Sequence, residues 1–154
     1  MSTATVKTKQ REKLNTLPVM TFNLGRLHQR LTDKDFEKIC AQNPDYRIEM
    51  TKEGQLIVMM PVGLEGSHRN HKLAARFGSW AESNNLGVAF DASGGLTLPN
   101  GAKRSPDAFW IRKDRWEKLS AEERSTFGHI CPDFVVELRS KSDRLKPLQN
   151  KMSE

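Results

Sequence analysis

Two short segments of the chain look alike. Ser105-Pro106-Asp107-Ala108-Phe109-Trp110 and Cys131-Pro132-Asp133-Phe134-Val135-Val136-Glu137 each place Pro-Asp at the entrance of an apolar run. The runs Ala108-Phe109-Trp110-Ile111 and Phe134-Val135-Val136-Glu137-Leu138 read as buried central strands. A carboxylate inside such a strand is costly unless it is paired, hydrogen-bonded or bound to a cation, so Glu137 needs a partner. A divalent metal is one such partner, because Mg²⁺ takes one or two protein carboxylates together with waters and substrate phosphate oxygens. Asp107 and Glu137 are the candidate acidic pair. On residues alone a second reading stays open: Pro-Asp before a strand is common turn chemistry, and Glu137 could pair with Arg139 or another base.

Such a pair needs a sheet to carry it, and the flanking sequence supplies one. Thr32-Asp33-Lys34-Asp35 resembles a capping box, and Phe36, Ile39 and Cys40 then share a helical face, predicting a short helix over 33–41. Residues 46–50 and 56–60, separated by Lys52-Glu53-Gly54, read as a hairpin that stops at Pro61. Leu73, Ala74, Phe77, Trp80 and Ala81 recur at helical spacing and predict the longest helix over 66–84, ended by Asn84-Asn85 and Gly87. Strands are expected at 88–90 and 96–98, and a helical stretch around Trp116 to Phe127. The order of elements predicts a mixed α/β or α+β domain with a central sheet.

At 154 residues the chain is the size of one ordinary domain, and three Trp and seven Phe leave enough apolar side chain to bury a core. The formal net charge is +6, and Lys7, Lys9, Arg11 and Lys13 against Glu12 carry half of it within the first 20 residues. Residues 1–20 read as a disordered basic arm and 21–154 as the folded domain. The body is only mildly basic, so charge alone does not establish a phosphate-binding protein. No apolar stretch approaches the roughly 20 residues of a membrane-spanning helix and no apolar signal segment opens the chain, which predicts a cytoplasmic protein with no membrane partner. Cys40 and Cys131 lack the CxxC spacing of a zinc site and read as small core residues.

Further landmarks follow one another in collinear order over roughly four-fifths of the chain. They are Arg47-Ile48-Glu49, the run from Gly54 to Pro61, Arg69-Asn70, Ser105-Pro106-Asp107, the run from Pro132 to Ser140, Ser142-Asp143, and Leu148-Gln149-Asn150-Lys151-Met152. From about Leu31 onward this arrangement resembles the restriction-endonuclease family called Uma-two, a branch of the PD-(D/E)XK nuclease superfamily. The resemblance implies a restriction-endonuclease-like central mixed sheet flanked by helices, and a Mg²⁺-dependent endonuclease that hydrolyses phosphodiester bonds of DNA. Asp107 and Glu137 match the acidic metal ligands, and Glu49 matches a further acid at the metal. The basic superfamily pattern has Lys two places after the second acid, where this chain has Arg139; a guanidinium can stabilise charge on phosphorus but is a poor proton donor or acceptor. Lys151 matches a lysine of the family and is the expected catalytic lysine, with Arg139 as a phosphate contact. Nucleases of this superfamily often act as homodimers. The family normally continues past Lys151-Met152 into another strand, so the domain reads as C-terminally incomplete. The alternative to an active nuclease is therefore an inactive truncated remnant of the same fold that retains nucleic-acid or protein binding.

Other patterns carry less. Arg69, Lys72 and Arg76 could follow a DNA backbone, although a solvated helix face is the default for such residues. His68 and His71 have no further ligands beside them in sequence, and Gly94-Gly95 precedes no helix in the manner of a phosphate loop. Trp80, Trp110 and Trp116 sit at core spacings, and Ser140 and Ser142 have no triad partners.

Overall fold

The computed structural model of the chain describes residues 19–140 and 144–154. Most of the predicted basic arm and the Ser142-Asp143 landmark lie outside the described residues. Strand β1 (Met20–Asn23) is followed by a 3-10 turn at Gly25–Arg30. Helix α1 (Asp33–Gln42) starts with the predicted reciprocal cap: the Thr32 hydroxyl accepts from the Asp35 amide, and the Asp35 carboxylate accepts from the Thr32 amide. Strands β2 (Arg47–Met50) and β3 (Gln55–Met59) form the predicted hairpin, with Gly54 at φ +80° in the turn. Helix α2 (Leu64–Asn84) is the longest and ends at Asn85 in the left-handed conformation. The remaining elements are β4 (Gly87–Asp91), β5 (Leu96–Thr97), β6 (Lys103–Arg104), β7 (Ala108–Arg112), α3 (Lys113–Trp116), α4 (Ala121–Ser125), β8 (Gly128–His129), β9 (Phe134–Val136) and α5 (Leu145–Met152).

The expected plan, a mixed sheet with flanking helices, is present, with the strands divided between two sheets. The first runs β1-β3-β2-β6-β5-β8 and is antiparallel except between β5 and β8; the second is the antiparallel trio β4-β7-β9. Side chains alternate across each strand, and this sorts the interior. On one face of the first sheet Ile48, Met50 and Val58 pack with Phe36 of α1. Lys103, opposite Met50, points the same way and pairs with Asp33 at the start of α1. On one face of the second sheet Trp110 and Phe134 meet Trp80 and Phe77 of α2. The other two faces meet where Leu96 of β5 packs with Phe109 and Ile111 of β7, supported by Phe90, Trp116 and Val135. Parity therefore aims Arg47, Glu49 and Arg104 of the first sheet, and Asp107 and Glu137 of the second, into this shared interior.

Several elements differ from expectation. The helical stretch around 116–127 is two short helices, because Ser120 forms its own cap with Glu123 and starts α4 afresh. Strands β6 and β8 have two residues each and show no periodicity to read. Strand β9 is an edge rather than a central strand, its Phe134 is half-exposed, and Glu137 lies one residue beyond its end. Cys131 is exposed in the turn before Pro132, whereas Cys40 packs against the Phe36 cluster as predicted. Trp80 is 45% exposed, stacked on Phe77 and edge-on to Trp110, so it caps the α2 interface instead of filling a core. Among the described residues no helix is long and apolar enough to cross a membrane.

Phe109 is fully enclosed where the two sheets meet, stacked on Phe90. Phe109→Ala is expected to lower the unfolding free energy by about 3–5 kcal/mol, read from urea denaturation followed by far-UV circular dichroism.

Candidate active site

The antiparallel register of β7 and β9 pairs Ala108 with Val136, so one step outward Asp107 lies opposite Glu137 and both side chains leave the same face of the sheet. Glu49 reaches the same place from β2 of the other sheet. All three carboxylates are enclosed, with side-chain exposures of 1% for Glu49, 9% for Asp107 and 7% for Glu137. Enclosure at that level demands countercharge, and three cations provide it.

Asp107 accepts from Arg47 Nη1 through Oδ1 at 2.8 Å and from the Leu138 amide through Oδ2 at 2.7 Å. The amide belongs to the residue after Glu137, so one hydrogen bond fixes the spacing of the two acidic strand ends. Arg47 also directs Nη2 at Met59 Sδ, 3.3 Å away across the hairpin, a weak acceptor for a cation. Glu49 Oε1 accepts from the Ser105 amide at 3.0 Å and from Lys151 Nζ at 2.9 Å, while Oε2 faces Arg104 Nη1 at 3.3 Å. Lys151 projects from α5 and lies between two acids, with its Nζ also 2.6 Å from Glu137 Oε1. That contact is a charge contact without hydrogen-bond alignment, leaving Glu137 Oε1 buried with no directed donor. Arg104 completes the network by donating to Glu154 through Nε at 2.7 Å and through Nη2.

Burial pushes the Glu137 carboxyl above its ordinary value. The Lys151 ammonium pulls it partly back, and the negative charges of Asp107 and Glu49 push it further up. The donor set suits Mg²⁺, which asks for hard oxygens and one or two carboxylates, and Glu137 Oε1 is the atom with unused capacity. Among the described residues no group of three or more His, Cys, Asp or Glu side chains is arranged around one metal position.

The structure thus brings together Asp107, Glu137, Glu49 and Lys151. Arg139 lies at the same rim, where its carbonyl accepts two hydrogen bonds at 3.2 Å from the guanidinium of Arg69 on α2. Lys72 is exposed on α2, three residues after Arg69. Sequence reasoning passed over Arg47, Arg104 and Glu154. Arg47 had a signal, since a basic residue two places before Glu49 on a strand must share its face. Arg104 had none, because β6 is too short to reveal which of Lys103 and Arg104 turns inward.

Comparison with known families matches residues 33–154 to the family model described as "Uma2: Putative restriction endonuclease". No curated protein matches the chain.

The raised Glu137 carboxyl makes a signed prediction. The folded state binds this proton more tightly than the unfolded chain, so the contribution is complete below pH 4.5 and is lost as pH rises through the raised folded value. Glu137→Gln, which cannot ionise, should therefore become progressively more stable relative to the parent as pH rises above 4.5, measured by urea denaturation of both proteins in parallel. A difference that stays flat with pH would show that Glu137 titrates as an ordinary exposed acid.

Proposed function

The chain belongs to the Uma2 family, and from that premise we propose that it hydrolyses phosphodiester bonds of DNA with a divalent cation held by Asp107 and Glu137. The observation that carries this reading is the β7–β9 register, which sets two enclosed carboxylates side by side and leaves a buried Glu137 oxygen without a directed donor. Mg²⁺ in that position would neutralise charge on the scissile phosphate. The chain's own groups supply the rest. Asp107 is oriented by the Leu138 amide, so it needs little reorganisation to accept a cation. Lys151, whose ammonium borders Glu137, is placed to donate to an attacking water or to the phosphate and so acts as the catalytic lysine. Arg69 and Lys72 on α2, with Arg139 beside Glu137, offer cations along which a DNA backbone can run. A homodimer would present one such site to each strand of the duplex.

A second reading, DNA binding without cleavage, is favoured by one fact: each of the three acids already has a protein cation against it. Nicking of supercoiled plasmid separates the two. We expect nicking that depends on Mg²⁺ or Mn²⁺ and stops on chelation. Glu137→Gln should lower it by at least about 100-fold, on the order of the loss of one transition-state electrostatic partner, with far-UV circular dichroism unchanged. Nicking by that variant at the parent rate would exclude Glu137 as a ligand. A parent chain that retains DNA and never nicks it would establish the binding-only reading.

A further inference from the structure

We propose that Glu49 is the positioning residue of Lys151 and not a ligand of the cation, with Arg104 and the Ser105 amide holding it to that task. The proposal deepens the nuclease reading above and rests on it for the role of Lys151. Its first support is the use of each oxygen. An ionised carboxylate offers about two acceptor directions per oxygen. Glu49 Oε1 already takes the Ser105 amide at 3.0 Å and Lys151 Nζ at 2.9 Å, and Oε2 takes Arg104. A metal ion on Oε1 would have to displace a backbone amide that cannot turn away without bending the segment leading into Asp107. The other acids are less committed: Asp107 accepts one donor on each oxygen, and Glu137 Oε1 accepts none in a directed way.

Helix α5 supplies the second support. None of its residues is buried, so apolar packing does little to fix where Lys151 stands. Its placement comes from charge pairs: Lys151 with Glu49 and Glu137, and Glu154, two residues past the helix end, with Arg104. Once Glu137 turns its oxygen to a cation, its hold on the ammonium weakens. Glu49 then keeps Lys151 beside the reacting phosphate. Arg104 ties the two halves of this clamp together, since its guanidinium touches both Glu49 and Glu154.

The test uses the full chain with Glu49→Gln, Glu49→Asp, Asp107→Asn and Lys151→Gln. Mn²⁺ titration by calorimetry without DNA should find Glu49→Gln within about two-fold of the parent, while Asp107→Asn weakens binding at least tenfold. Amide hydrogen exchange across residues 145–152 should quicken at least tenfold in Glu49→Gln and return toward the parent rate in Glu49→Asp. In nicking assays Glu49→Gln should lower kcat in the parent and cause no further loss in the Lys151→Gln background. Loss of Mn²⁺ affinity in Glu49→Gln equal to that in Asp107→Asn would make Glu49 a ligand and overturn the proposal. Unchanged exchange in α5 would overturn it as well. A parent chain that binds no Mn²⁺ would defeat the nuclease reading separately, and the exchange measurement would still decide whether Glu49 holds Lys151.

Discussion

Three carboxylates share one enclosed space, and in a protein interior each would cost several kcal/mol if it kept its charge alone. Arg47, Arg104 and Lys151 stand against Glu49, Asp107 and Glu137 and supply the countercharge. The three cations are placed with unequal firmness. Arg104 is enclosed and held by two acids, while Arg47 is about one-third exposed and spends one of its donors on a thioether. Lys151 comes from a helix with no buried residue. With Glu154 also enclosed against Arg104, four acids face three cations, and the looser cations border Asp107 and Glu137.

What allows this placement is the continuous stretch from Lys103 to Arg112. Its first two residues belong to the larger sheet as β6 and its last five to the smaller as β7. Lys103 turns outward to Asp33 and the face of Phe36, where it ties α1 to the sheet, and Arg104 turns inward to Glu49. Three residues later Asp107 enters the same interior from the second sheet. The Ser105 amide between them fastens Glu49. Positioning within one sheet and positioning in the other are thus consequences of one backbone path.

Much of this was legible from residue types. Capping at Thr32, the hairpin around Gly54 and the periodicity of α2 are local signals, each arising within a few residues, and the structure has all three elements. The acidic pair was visible because Pro-Asp and an apolar strand make a buried carboxylate conspicuous. Strands β6 and β8 were not, because their existence depends on partners distant in sequence: β6 pairs with β2, and β8 with β5. The division into two sheets was hidden for the same reason. Arg104 and Glu154 lie 50 residues apart, and no spacing rule connects them. Trp80 was misplaced since helical periodicity reports which side of a helix is apolar, not how much of that side finds a cover.

The two-sheet path also bears on how such a sequence can change over generations. Residues 105–107 between β6 and β7 are not strand, and across them Arg104 and Asp107, three apart in sequence, both face the same interior, so losing or gaining a residue here would shift how the second sheet faces the first. Arg104 and Asp107 would then no longer enter the same interior, although neither had been replaced. A one-residue deletion between Arg104 and Ala108 would thus disturb the acidic centre although every side chain around it is kept.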